Sequence, residues 1–109
     1  MPQQRKPGYA AIALLKALKS GSRYGLDLMA TTHLPSGTVY PQLGRLEARG
    51  FVRAEWEPED LARKEARPRR RYYIITEAGA QALQQALREL RSLAGPDQVT
   101  STVKVLGNT

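Results

Sequence analysis

The side chains best suited to chemistry in this sequence are basic, and they are crowded. Positions 63 to 71 hold Arg63, Lys64, Arg67, Arg69, Arg70 and Arg71 with one acid, Glu65. Guanidinium and ammonium groups at that density bind phosphate oxygens through charge-assisted hydrogen bonds. Their spread along one segment suits a nucleic-acid backbone or a minor groove more than the edges of particular bases. Composition alone also allows a plainer reading, a charged loop kept polar for solubility. The tyrosines that follow, Tyr72 and Tyr73, favour phosphate binding.

A second set of polar side chains recurs at helical spacing. Thr38, Gln42, Arg45 and Arg49 fall at i, i+4, i+7 and i+11. By the helical repeat they form a stripe about 100° from the apolar face of Val39, Leu43 and Leu46. Gln42 has the two-point geometry that adenine requires. Arg45 matches guanine, or meets a phosphate. Ser36, Gly37 and Thr38 open the helix, where backbone amides and the positive end of the dipole attract a phosphate. Tyr40 either reaches the backbone of a nucleic acid with its hydroxyl or packs inside the domain. Arg49 either joins the stripe or complements the negative end of the dipole. Pro41 stiffens the exposed end of the helix.

Other chemistries lack their residues. There is no cysteine, so there is no disulfide framework, thiol nucleophile or thiolate metal site. The single histidine, His33, supports no zinc site, and no acid or nucleophile partner for it is visible. No paired acid and base and no glycine-rich phosphate loop is present, so neither an enzyme nor a cofactor is expected. No apolar run approaches the length of a membrane span, and positions 1 to 8 lack an apolar signal region. A cytoplasmic protein is expected. The net charge of +7 in 109 residues favours an anionic partner, above all nucleic acid.

The elements that must position these groups follow from periodicity. One domain is expected at this length. Ala11, Leu14, Leu15 and Leu18 mark a helix over 9–19, stopped at Gly21. A short helix follows from about Tyr24 to Thr31. Gly25 inside it costs up to ~1 kcal/mol against alanine, offset by close approach of another helix. Ser36 is a good N-cap for the third helix, and Gly50 closes it. Val52, Ala54 and Trp56 alternate with Arg53, Glu55 and Glu57, giving a strand over 51–57. Positions 58 to 68 read as a loop between Pro58 and Pro68, and 70 to 76 as a second strand. Alternation turns Arg70 and Arg71 to opposite faces, so one of them is available to pair with Glu55 or Glu57. Thr76 caps a last helix over 77–93 with a stripe of Leu83, Leu87, Leu90 and Ala94, with Leu93 beside it. Gly95 and Pro96 break it.

Helix, helix, helix, strand, basic loop, strand, helix describes a winged helix-turn-helix: mainly α, with a two-stranded hairpin wing and a C-terminal dimerisation helix. Its third helix enters a major groove and its hairpin loop is the wing. The expected layout is a flexible basic arm at 1–8, the DNA-binding domain at 9–76, the dimerisation helix at 77–94 and a mobile tail at 95–109.

The segment Pro35-Ser36-Gly37-Thr38-Val39-Tyr40-Pro41-Gln42-Leu43-Gly44-Arg45-Leu46-Glu47-Ala48-Arg49-Gly50 resembles the signature of the PadR-like transcriptional regulators. Tyr24-Gly25-Leu26-Asp27-Leu28 is similar to that family's second-helix motif. Arg70 to Gly79 is similar to its second wing strand and the start of its last helix. The resemblance spans roughly positions 9 to 93. It departs in lacking a residue between Ser36 and Gly37, and in having Arg67-Pro68 where Gly-Arg is common. The last helix also carries no aromatic residue, and the sole tryptophan, Trp56, falls in a wing strand. The drug-sandwiching pore of some small members is therefore not expected. A small-molecule effector stays open, with no residue pointing to one.

The last helix needs a partner for its leucines, each worth about 1.5–3 kcal/mol when buried. Leu83, Leu87, Leu90 and Leu93 are expected to meet a second subunit, together with Leu14 or Leu18. The expected function is a sequence-specific double-stranded DNA-binding regulator, a repressor on a palindromic operator as a homodimer. The alternatives are a non-regulatory DNA-binding protein of partition or nucleoid type, and a winged-helix module that pairs with an acidic protein.

Overall fold

The computed structural model describes residues 7–94. The expected tail and most of the expected arm lie outside the described residues. In chain order the elements are α1 (Tyr9–Lys19), α2 (Gly25–Thr32), α3 (Ser36–Ala48), β1 (Val52–Trp56), α4 (Glu59–Lys64), β2 (Arg71–Ile75) and α5 (Glu77–Ala94).

The core sits where the apolar faces of α1, α2, α3 and α5 converge on the base of the hairpin. Leu14, Leu15, Leu28, Val39, Leu43, Leu46, Val52 and Leu83 are buried there. Leu14, Leu15, Leu28, Val39 and Leu43 are fully removed from solvent, so α1 is the element around which the others are laid. Glycine ends two of the helices. Gly21 (φ 117°) and Gly50 (φ 77°) adopt left-handed backbone, and Ser22 and Phe51 turn back to the carbonyls of Ala17 and Leu46 at 3.0 and 2.9 Å.

The approach of elements explains two other glycines. A Cβ on Gly25 would collide with the Tyr40 ring, so glycine lets α3 seat against the start of α2. A Cβ on Gly79 would collide with the Phe51 carbonyl, so glycine lets α5 begin against the α3–β1 junction. Thr76 ties the same corner. Its hydroxyl donates to the Gly50 carbonyl at 2.6 Å and accepts from the Gly79 amide at 3.1 Å, capping α5 as expected.

The hairpin is antiparallel, with Val52 opposite Ile75, Ala54 opposite Tyr73, and Trp56 opposite Arg71. The turn between α1 and α2 lies along the outer edge of β2. Tyr24 bridges Tyr72, and the Tyr73 amide donates to the Arg23 carbonyl at 2.7 Å. This partly occupied third edge fixes the wing to the helix-turn-helix.

Four expectations are corrected. The segment 58–68 is not all loop, since α4 occupies its middle. Acids at Glu59 and Asp60 and bases at Arg63 and Lys64 suit the two ends of its dipole, and Ala62 is buried. Ser36 does not cap α3. Pro35 takes that place in extended backbone, and its carbonyl accepts from the Thr38 and Val39 amides, both at 2.9 Å. Glu57 does not continue the outward polar face of β1; it is completely buried, whereas Trp56 is exposed. Leu14, Leu18 and Leu83 are buried in this chain's own core and are closed to a second subunit.

Candidate nucleic-acid interface

Helix α3 is held from below by Val39, Leu43 and Leu46, and its other side faces solvent. The middle of that exposed side is almost free of side chains: Gly37, Pro41, Gly44 and Ala48 follow one another at i, i+4, i+7 and i+11. A Cβ placed on Gly37 or Gly44 would meet nothing, so the backbone of the helix is approachable along this line. The expected polar stripe flanks it. Arg45 is exposed at the border, while Thr38 and Gln42 are half-buried toward the core. The exposed side of α3 therefore has a bare centre and a polar margin.

At the start of α3 the Thr38 amide is taken by Pro35, leaving the amides of Ser36 and Gly37 at the positive end of the dipole. Tyr40 packs within the domain and also keeps an exposed face. Its ring lies where a Gly25 side chain would be, yet the residue is exposed. Arg49 lies over the Phe51 ring, 4.6 Å from its centroid.

The wing arginines divide by environment. Arg67 does not extend to solvent. Its guanidinium grips Glu57 in a two-point pair, Nη1 to Oε1 at 2.7 Å and Nη2 to Oε2 at 2.8 Å, and Nε donates to Glu65 at 2.9 Å. Glu57 also accepts from the Tyr72 hydroxyl at 2.8 Å and the Arg70 amide at 3.1 Å. The Arg67 hydrogen bonds, against the cost of burial and with help from Tyr72 and Arg70, lower the Glu57 carboxyl to about 2. The same pairing raises Arg67, and the Glu57 carboxylate raises the Tyr72 phenol. Burial raises the Tyr73 phenol. This knot joins the end of β1, the segment after α4 and the start of β2, so Arg67 shapes the wing.

Neither Arg70 nor Arg71 supplies the expected salt bridge to a wing acid. Arg70 lies over the Tyr24 ring at 4.1 Å, and Arg71 reaches Glu47 of α3 at 3.5 Å. Arg63 pairs with Glu59 at 2.8 Å on the surface of α4, an ion pair of little energetic weight. Lys64 and Arg69 are exposed. Arg69 is steered by its Nε bond to the Glu57 carbonyl at 2.8 Å. Sequence reasoning does not single out Trp56, which is 56% exposed between Arg69 and Arg71. Its alternation with Val52 and Ala54 signals core instead.

On α5, Leu87 is half-buried against the core, whereas Leu90 and Leu93 are 51% and 83% exposed. Beside them an open groove of about 480 Å³ runs between α1, the end of α2 and α5, lined by Tyr9, Ile12, Lys16, His33 and Leu87 among others. Among the described residues no helix is long and apolar enough to cross a membrane, and no group of three or more His, Cys, Asp or Glu residues is placed to hold a metal.

The model of the transcriptional regulator PadR-like family matches residues 14–85. No curated protein matches the sequence. Among solved structures, a PadR family transcription regulator from Clostridium difficile R20291 is 24% identical, with a TM-score of 0.71 over 88% of this chain and 98% of that one. Bordetella bronchiseptica BpsR, described by regulation of its DNA binding by 6-hydroxynicotinic acid, is 22% identical, with a TM-score of 0.65 over 99% and 82% of the two chains. Escherichia coli MarR in its apo form is 18% identical, with a TM-score of 0.64 over 94% and 77%. These likenesses identify the fold as that of the winged-helix regulators.

Proposed function

The chain belongs to the PadR-like family of transcriptional regulators, and from that premise we propose that it represses transcription by binding a palindromic operator as a homodimer. The observation that carries the reading is the exposed side of α3. A helix bare at Gly37, Pro41, Gly44 and Ala48 fits deep in a major groove, and Arg45 and Gln42 on its margin meet base edges there. The amides of Ser36 and Gly37 fix its entry on a phosphate. Lys64 and Arg69 on the wing neutralise flanking phosphates, with Arg63 joining them by leaving its surface pair.

The second copy is assigned to α5. Leu90 and Leu93 of one subunit lie against the α1–α5 groove of the other, which removes both leucines from water. A two-fold arrangement then sets the two α3 helices about 34 Å apart, one turn of duplex DNA. Bound in this way, the protein occludes the promoter.

The test is a titration of labelled duplex DNA at several salt concentrations, with the intact chain and with Lys64→Ala. Log affinity should fall linearly with log salt, and the variant, which neutralises one phosphate fewer, should lower the slope by roughly 0.9. A lack of salt-dependent binding to the duplex would argue against DNA as the partner and for an acidic protein surface instead.

A further inference from the structure

The mechanism just proposed leaves the chain's only tryptophan without a task. Trp56 ends β1 on the same face of the hairpin as Val52 and Ala54, the face that turns toward α3. An indole exposed to 56% among charged neighbours gains little from the core. Its neighbours are specific. The Arg69 guanidinium lies 5.7 Å from the ring centroid and that of Arg71 lies 5.1 Å away. Both cations are also steered at another point. Arg69 gives its Nε to the Glu57 carbonyl, which leaves both Nη groups for another acceptor. Arg71 leans toward Glu47 on α3 at 3.5 Å, longer than the 2.7 Å of the Arg67 pair. Among the described residues the indole N–H has no hydrogen-bond acceptor.

We propose that Trp56, Arg69 and Arg71 form one preorganised pad for the phosphodiester backbone of DNA, lying between wing and recognition helix. The indole holds two long, flexible side chains extended before DNA arrives, so less freedom is given up when they close on phosphates. Its N–H supplies a third donor to the same stretch of backbone. Nearby Glu47 keeps Arg71 in place in the free protein and yields it to the duplex, where successive phosphates add their charges. A backbone ligand suits these groups better than a base: three donors of fixed direction and no acceptor match phosphate oxygens, which only accept. The pad adds affinity without sequence preference. The inference rests on the DNA-binding reading above, and the experiment separates the two.

Because Trp56 is the only tryptophan, its emission reports this site alone. The intact chain is titrated into a labelled duplex of selected sequence while duplex anisotropy and tryptophan emission are followed together. Emission should change in step with anisotropy and saturate at the same ratio. Trp56→Ala should weaken selected and random duplexes alike by roughly tenfold, the scale of ordering two long, flexible side chains on binding. Trp56→Phe, which keeps a ring but removes the N–H, should fall between. Anisotropy that saturates while emission stays constant, or a Trp56→Ala chain that binds like the wild type, overturns the pad and leaves the DNA-binding reading standing. A duplex that never raises the anisotropy overturns both.

Discussion

Arg67 and Glu57 meet through two parallel hydrogen bonds of 2.7 and 2.8 Å, with the carboxylate wholly buried and the arginine 19% exposed. The most basic stretch of the sequence therefore uses one of its arginines as a structural strut. A buried carboxylate needs its cation, because an uncompensated charge out of water is costly. Arg67→Ala should lower the melting temperature clearly more than Arg69→Ala, and Arg69→Ala should weaken DNA binding with little effect on melting. Thermal unfolding of the two variants side by side checks this. Equal melting temperatures would show that the pair does not hold the wing.

The same pair sets a pH dependence. The Glu57 carboxyl is lowered to about 2 from its ordinary 4.5, chiefly by the Arg67 hydrogen bonds. A depressed carboxyl stabilises the fold fully above its unfolded value and gives up that contribution as pH falls through the folded one. Stability from Glu57 should thus be intact at neutral pH, decline below about pH 4.5 and be gone near pH 2. Urea unfolding of wild type and Glu57→Gln across that range should show a gap that narrows with acid. A gap of constant size would contradict the assignment.

The leucines of α5 make a separable case. Leu87 is partly used by its own core, but Leu90 and Leu93 are not. Leu90→Asp should leave the monomer folded and abolish the dimer. Operator binding should then weaken far more than removal of a single side chain from the DNA would cause, since each half-site is bound alone. Sedimentation across a concentration series reads the mass directly. A wild-type chain that sediments as a monomer at micromolar concentration would dismiss the dimer.

Much of this architecture is legible in the sequence because it is local. Leu14, Leu15 and Leu18, and then Val39, Leu43 and Leu46, announce helices by spacing alone, and Gly25 announces a close neighbour, which is Tyr40. Helix α4 escapes sequence reasoning because six residues between prolines carry one buried side chain and no stripe to detect. Its dipole-matched ends, Glu59 and Asp60 against Arg63 and Lys64, are the only signal it offers. Glu57 is misleading because a period of two assigns a face and not a burial, and its partner Arg67 stands ten residues further on. The division of the leucines between the chain's core and its exposed surface is a property of tertiary packing. Leu83 and Leu90 look alike in sequence, yet one is buried and the other exposed.

Selection of bound duplexes from a random pool, with wild type and Arg45→Ala in parallel, tests most directly whether α3 reads base sequence through its margin. The wild type should recover an inverted repeat whose half-sites are one helical turn apart. Arg45→Ala should recover the same repeat with preference erased at one base pair per half-site, a discrimination of about 1–3 kcal/mol. A wild-type pool without a shared motif, or a variant whose motif is unchanged at every position, would contradict it.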